Sequence, residues 1–456
     1  MTVKDTLAVT KSLQANTVTA AKVSLAKGAT ITGGTITTDT LQVDADTAAS
    51  ALSQTTVKAA TEGGTVNIAD ADGFAITNQS LLTALAQSFG LTAGSYTSVI
   101  TADGQKNIPG MIERIGNGAW NPFERQLFNI ADLGNLPAEQ LTTYRAQFAQ
   151  AYRKSGPVRA LVNATSNTGA ATTQAVTGMF TLGAASRAAD LRAGAPASAV
   201  VDKGGAESNV SSLWVAIKGG ETKMDGGSYA DQRVHVTTYQ AGYDFQLGQA
   251  DFLGVYVGTA FGHAQTDGES GKRVDIKRAL NYGLYGTHAF PNGSYIDYML
   301  SAGHFKNKMS GYDMWGTRSL GGALGYGRKI RTSDTLTLNP YVRFKFDHIK
   351  TDDRSFNYNA IVTDDENALS VKLGLDVYTS YGLYGGLAYS RGLAGSLSTY
   401  VNSFAMPEQD FDDNVVYLNL GYKGNLSERT LFNLKLEKTF CDYNSWSAEG
   451  RIDFLF

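Results

Sequence analysis

The chain has 456 residues, 39 basic and 42 acidic, and a net charge of −3 leaves no electrostatic footprint for nucleic acid or for an anionic membrane surface. Its 50 Gly are set against only 8 Pro, so glycine does not mark a Pro-rich linker; there are 23 Tyr and 20 Phe, and charged residues make up 18% where about 25% is usual for soluble domains. The single cysteine, Cys441, excludes any intrachain disulfide and any metal site built on paired thiolates.

From about Val9 to Ile76, short Thr/Val/Ala/Leu runs are broken by Gly or Asp, as in the stretch from Gly28 to Val43. The alternation at Ile31, Thr32, Thr35, Ile36, Thr37 and at Leu41, Gln42, Val43 suits short strands on a fixed lattice. Each rung of such a coil buries one face against its neighbours, which predicts a β-solenoid over residues 1–78. The competing reading is disorder, because Ala and Thr bury little surface per residue. Asp70, Asp72 and Gly73 have the residue types of a calcium loop but lack its downstream acidic ligands, so a plain turn is expected there.

Residues 79–170 change period, and a helical junction is expected. Leu81, Leu82, Leu85 and Phe89 share one helical face, as do Ala138, Leu141, Tyr144, Phe148 and Tyr152. Pro137 suits the first turn of the second helix, and Gly156-Pro157 is expected to stop it. A third helix is expected over Thr172 to Arg192, ended by Gly194-Ala-Pro196. Ala175, Gly178, Leu182, Ala185 and Ala189 give it a thin face that fits a narrow space. No stretch reads as a transmembrane helix, since the uncharged runs 73–102 and 160–186 are interrupted by polar residues.

From Ser211 to Phe456 the pattern is largely period two. Leu336, Leu338, Pro340, Val342, Phe344 and Phe346 interleave with Thr337, Asn339, Tyr341, Arg343 and Lys345. Leu369, Val371, Leu373, Leu375 and Val377 interleave with Ser370, Lys372, Gly374 and Asp376, and Phe432, Leu434 and Leu436 with Asn433, Lys435 and Glu437. A soluble sandwich also alternates, so strand and connection lengths decide. About twelve candidate strands exceed the five or six residues usual in globular sheets. Short turns at 248–251, 291–293, 332–334, 380–382 and 425–428 are set against longer segments at 221–232, 348–366 and 391–413. Short turns on one side and long loops on the other are what a transmembrane β-barrel requires, with its polar face lining the lumen. Tyr243 with Phe245, and Tyr295 with Tyr298, are expected to supply aromatic girdles. On this reading Leu373→Arg should impair assembly and Gly374→Ser should be tolerated.

The order solenoid, small-residue helix, twelve strands and terminal aromatic resembles the classical monomeric autotransporters (type V secretion) of Gram-negative outer membranes. The most specific elements are the last strand, in which Ile452, Phe454 and Phe456 alternate to a carboxy-terminal Phe, and the helix placed just before the first strand. The fold so implied is all-β, a 12-stranded antiparallel barrel over 211–456 with a central helix plug at 171–194, preceded by a solenoid passenger fragment and a helical segment. The resemblance implies that Ile452, Phe454 and Phe456 form the membrane-insertion signal read by the barrel assembly machinery. It also implies that the helix bearing Ala175, Gly178, Ala185, Arg187, Ala189, Asp190 and Arg192 lies in the lumen.

Further expectations follow from the family: partners are outer-membrane lipid, the assembly machinery and periplasmic chaperones; the protein is a monomer; and the passenger, exported to the cell surface, is an adhesin or self-associating protein of unknown ligand. The amino terminus, Met1 to Leu7, lacks the apolar stretch of a signal peptide, so a precursor starting upstream is expected. An enteric subgroup cuts its linker between adjacent asparagines, whereas Asn163 and Asn167 are separated here, and cleavage by that route is not expected.

Catalytic, cofactor and metal residues are not expected in this chain. All five histidines, His235, His263, His288, His304 and His348, lie in the barrel region and are expected as lumen or interface side chains, so no Ser-His-Asp triad can be built from residues 1–210. Gly268-Glu-Ser-Gly-Lys-Arg departs from a phosphate loop at Arg273, where Ser or Thr should stand, and is expected as a hairpin loop. Arg343, Lys345, Lys372, Asp376, Lys435 and Glu437 are expected to point into the lumen, because a Lys or Arg facing lipid costs about 2–4 kcal/mol near the midplane. The alternatives are a porin-like outer-membrane channel, which would conduct steadily, and a soluble all-β binding protein.

Overall fold

The computed structural model describes residues 1–44, 55–76, 78–120, 136–167, 169, 173, 175–181, 184, 187–188, 211–224, 229–248, 250–266, 273–309, 314–356, 359–410 and 413–456. The chain divides into two compact units. One holds residues 1–159 with 355–361 and 400–406, and the other holds 160–354, 362–399 and 407–456.

The first unit begins as a coil of parallel strands. Thr2–Val9 pairs with Thr17–Leu25, which pairs in turn with Gly34–Thr37 and Thr40–Val43; these pair with Thr55–Lys58 and Val66–Asp70. Register stacks like on like, so Val18 lies beside Ile36 and Ile36 beside Val57, while Val23, Leu41 and Ile68 form a second column. All six are buried in one core, because β-branched and leucine side chains fill the interior while Thr faces out. Helix α1 (Gln79–Ser88), capped by the Asn78 side chain on the Leu81 N–H, sends Leu82, Leu85, Ala86 and Phe89 into that same core. The hydrophobic core of the coil therefore continues past residue 78.

Helix α2 (Ala102–Gly116) was not foreseen, because Pro109 and Gly110 in its middle read as breakers; Thr101 caps it, and Ile108, Met111 and Ile115 bury one face. Lys22 bonds the Asp103 carboxylate and holds its pKa below the ordinary value. That stabilisation is present above the unfolded pKa of about 3.9 and is lost as pH falls through the lower folded value. Asp103→Asn is expected to cost under about 1 kcal/mol at pH 7, a difference from wild type that denaturation curves should show vanishing in acid. Helix α3 (Ala138–Lys154) buries Phe148, Ala151 and Tyr152, and within this unit Tyr152 stacks at 5.7 Å on Phe404 while Arg153 bonds the Ala405 carbonyl at 2.7 Å. The Asp70–Gly73 segment is a turn: Asp70 accepts from the Phe74 N–H at 2.7 Å, and Asp72 pairs with Arg114 at 3.2 Å.

The second unit is a closed ring of twelve antiparallel strands: β1 (Ser212–Met224), β2 (Gln232–Gln246), β3 (Asp251–Thr266), β4 (Arg273–Ala289), β5 (Ser294–Met309), β6 (Trp315–Arg328), β7 (Leu336–Thr351), β8 (Glu366–Thr379), β9 (Leu383–Ala394), β10 (Asn414–Ser427), β11 (Thr430–Cys441) and β12 (Tyr443–Leu455). It closes where β1 runs antiparallel to β12, from Ser212 beside Leu455 to Met224 beside Tyr443. Closure pairs every strand on both sides and removes sheet edges. The polar connections after β1, β7 and β9 are shorter than the sequence suggests, because those strands run on to Met224, Thr351 and Ala394. The loop at 268–273 falls largely outside the described residues, as do 194–196.

Outward positions carry the apolar half of the alternation, with Leu373, Leu387, Leu420 and Leu436 all more than half exposed on the belt. Exposed leucines in a continuous band need a hydrocarbon solvent. No described helix is long and apolar enough to cross a membrane, which says nothing of strands. Two expectations are corrected. Tyr295 is 2% exposed and faces the lumen, three residues and hence opposite parity from outward Tyr298. Gly374 lies beneath the Tyr341 ring, where an added Cβ would come within 2.4 Å, so Gly374→Ser is not a mild change.

Candidate functional site

The lumen is filled by a helix. α3 ends at Lys154, just before Gly156-Pro157 as expected, and Pro157 then stands in the first turn of a new helix, Gly156–Val162, where its missing N–H is harmless. A single π turn, Asn163–Asn167, follows, and the chain is helical again at 169, 173, 175–181, 184 and 187–188. The lumen helix thus begins well before Thr172.

Both ends of this helix are tied to the wall. Near the rim with the longer loops, Asn163 donates to the Ala230 carbonyl at 3.0 Å and accepts from Gln232 at 2.9 Å. Arg354 donates to Ser166 at 2.6 Å and to Thr363 at 2.8 Å. Burial pulls the Arg354 guanidinium down to about 10, still charged at neutral pH. At the opposite rim Arg187, fully buried, pairs with Asp244 of β2 at 2.5 Å and with Asp453 of β12 at 3.2 Å, and also bonds Ser212 of β1. Asp244 further accepts from Ser212 at 2.7 Å and from Tyr285, whose oxygen accepts from Trp214 at 2.7 Å. The seam strand β1 is therefore spanned from inside by one guanidinium. A fork of five donors suits two carboxylates at once.

Between these ends the helix lies against one side of the ring. Val176, Met179, Phe180, Ala184 and Ala188 share a core with Trp214, Val236, Tyr256, Ala260 and other inward residues of β1–β5. Gly258 makes room for Phe180, since a Cβ there would lie 2.3 Å from the ring. Gly258→Leu is expected to dislodge Phe180 and raise the conductance of the full chain in planar bilayers. Wild-type conductance from that variant would show that this contact does not hold the helix.

The other side of the ring is charged. Arg343, Lys345, Lys372, Asp376, Lys435 and Glu437 all lie on the inward face of β7, β8 and β11. Lys435 pairs with Glu437 at 3.1 Å, Lys345 with Asp347 at 2.6 Å and Arg343 with Asp297 at 3.7 Å. Lys218 approaches Glu437 at 3.9 Å, Asp376 accepts from Asn339 at 3.5 Å, and the Lys372 ammonium sits 3.3 Å over the Tyr417 ring. A cavity of about 210 Å³ separates this wall from the small residues Ala175 and Gly178 of the helix.

Ala175, Gly178 and Arg187 are thus in the lumen, while Ala185, Ala189, Asp190 and Arg192 lie outside the described residues. Ile452, Phe454 and Phe456 face outward on and just beyond β12, 37%, 38% and 65% exposed. All five histidines are on the outward face, none in the lumen: His235 stacks on His263 at 4.8 Å, and His288 pairs with Asp251 at 2.6 Å. Sequence reasoning missed Asp244 and Asp453. The available signal was parity, since Asp453 stands between Ile452 and Phe454, and Asp244 between Tyr243 and Phe245.

Comparison with known proteins finds that residues 213–437 match the autotransporter beta-domain family model. Solved structures that match include the beta domain of the Bordetella autotransporter BrkA (17% identity, 54% of this chain and 100% of that one, TM-score 0.42). Others are the transport unit of AIDA-I from Escherichia coli (16%, 60% and 98%, TM-score 0.46) and the translocator domain of NalP from Neisseria meningitidis (12%, 59% and 96%, TM-score 0.41). No curated protein matches the chain.

Proposed function

We infer, from the membership of this barrel in the autotransporter β-domain family, that the chain exports its own amino-terminal region and holds it at the cell surface. Such a barrel is an outer-membrane transport structure and not a catalyst. The observation that carries the reading is the helix that runs through the lumen from Asn163, at the rim with the longer loops, to Arg187, held at the other rim.

The solenoid belongs to a passenger that adheres or self-associates rather than catalyses. In support, Thr17, Thr35 and Thr56 stand side by side on successive rungs, a flat polar ladder suited to lateral contact. The charged wall compensates its own charges and keeps the cavity beside the helix wet. Ile452, Phe454 and Phe456 serve as the mark by which the assembly machinery, supplied by periplasmic chaperones, takes up the last strand.

An epitope inserted at the exposed Glu62-Gly63 turn is expected to bind antibody on intact cells, and deletion of Phe456 is expected to reduce that signal several-fold at equal expression. An epitope reached only after the outer membrane is broken would overturn export. The porin-like reading makes a different forecast. Removing residues 1–193 is expected to raise single-channel conductance, and equal conductance with and without them would favour a permanently open channel.

A further inference from the structure

Just beyond the apolar belt, toward the rim with the longer loops, the outward face of β4–β6 carries a group of cations with no ion-pair partner among the described residues. Arg278 of β4 stands directly opposite Lys306 of β5, and His304 of β5 opposite Arg318 of β6; Lys308 is two residues along β5. The belt residues Leu280, Leu300 and Leu320 lie on the same strands and the same face. Among the described residues none of Arg278, Lys306, Lys308 and Arg318 makes an ion pair. Asp275, opposite Lys308, is already engaged by Arg273 at 2.7 Å and Lys277 at 3.0 Å, and Asp352 is held by the Gly316 N–H at 3.0 Å.

Local irregularity builds part of this patch. Between Ile276 and Arg278 the β4–β5 register shifts, so Lys277 and Arg278 are both exposed where strict alternation would turn one of them inward. Like charges directly opposite across two strands are destabilising unless something neutralises them. With neighbouring strands about 4.8 Å apart, the four cations on three strands fall within a patch roughly 10 Å wide. The seam side of the ring offers less: on β9 and β11 the outward cations near this rim are Arg391 and Lys438, and Lys438 bonds Asn444.

We propose that this patch binds the phosphate groups of a phosphorylated glycolipid in the outer leaflet. Directly above an apolar belt, the anions available to a side chain are those of lipid headgroups, and paired cations on adjacent strands match closely spaced phosphates. Placing the patch in the outer leaflet rests on the export reading; the binding itself does not, so the two fail separately.

The test uses the full chain in detergent, folded as judged by heat-modifiable mobility, titrated with bis-phosphorylated lipid A. Binding is expected to raise the temperature at which the folded band disappears by several degrees and to weaken as salt is added. The variant Arg278→Gln/Lys306→Gln/Lys308→Gln/Arg318→Gln is expected to bind about tenfold more weakly or worse, while Arg391→Gln binds like wild type. If the fourfold variant does not fold, Arg278→Gln/Arg318→Gln takes its place and is expected to show an intermediate loss. Equal binding of dephosphorylated lipid A, equal binding of phosphatidylglycerol micelles, or wild-type affinity in the folded variants would each overturn the proposal. Failure of the surface-epitope experiment with these results intact would move the patch to the other leaflet without removing it.

Discussion

Arg187→Met is expected to lower the temperature at which the folded barrel loses its compact electrophoretic mobility, by an amount corresponding to about 3–5 kcal/mol, the usual cost of breaking a buried ion pair by removing one partner. The side chain is fully buried and faces two carboxylates on either side of the seam strand, so its loss removes the one cation shared by Asp244 and Asp453 among their described partners and leaves Ser212 and Tyr285 on the first and Arg451 and Lys423 on the second. Arg187→Lys keeps the charge but cannot serve both carboxylates through a planar fork, and it should fall between Met and wild type. Combining Arg187→Met with Asp244→Asn should recover part of the loss, because it removes a charge that the single variant strands. If Arg187→Met melted like wild type, the helix would not be anchored at that rim.

Leu373→Arg is expected to deplete folded barrel from the membrane. Leu373 is 55% exposed at the middle of β8, on the lipid-facing side, between Tyr389 on β9 and Val342 on β7. An arginine at that depth costs about 2–4 kcal/mol. The proper inward control is Ser370, which lines the cavity and has room for change, rather than Gly374 beneath Tyr341. Equal yields of heat-modifiable Leu373→Arg and Ser370→Asn would reverse the assignment of faces.

How far the sequence leads is clear from these two sites. Period two fixes a face without knowledge of any neighbour, which is why Leu373 and Lys372 could be assigned outward and inward from the chain alone. Strand number and turn lengths are equally local. The partners are less so: Asp347 lies only two residues from Lys345 on β7, but Asp297 and Lys218 meet Arg343 and Glu437 through the placing of strands far apart in sequence. The Arg187 site needs three strands and a helix at once. The helix itself was half legible, since its small face at Ala175 and Gly178 announced a confined space, but Gly156-Pro157 signalled only the end of α3 and not the new helix that opens there. Helix α2 hid behind Pro109, where tertiary burial of Ile108, Met111 and Ile115 outweighs a lost backbone bond.

The lumen helix also makes the molecule a topological object. Its backbone runs through a ring whose hydrogen bonds are continuous, so the two stretches of polypeptide on either side of it are linked like an axle through a wheel. Such a link cannot be made by docking finished parts. Either the ring zips shut, β1 to β12, around an axle already in place, or the axle is drawn through after closure in a form slimmer than any folded solenoid. Withdrawal after closure must undo the ties at both rims together, so a variant loosened at one rim would rattle in its bearing without being lost from it.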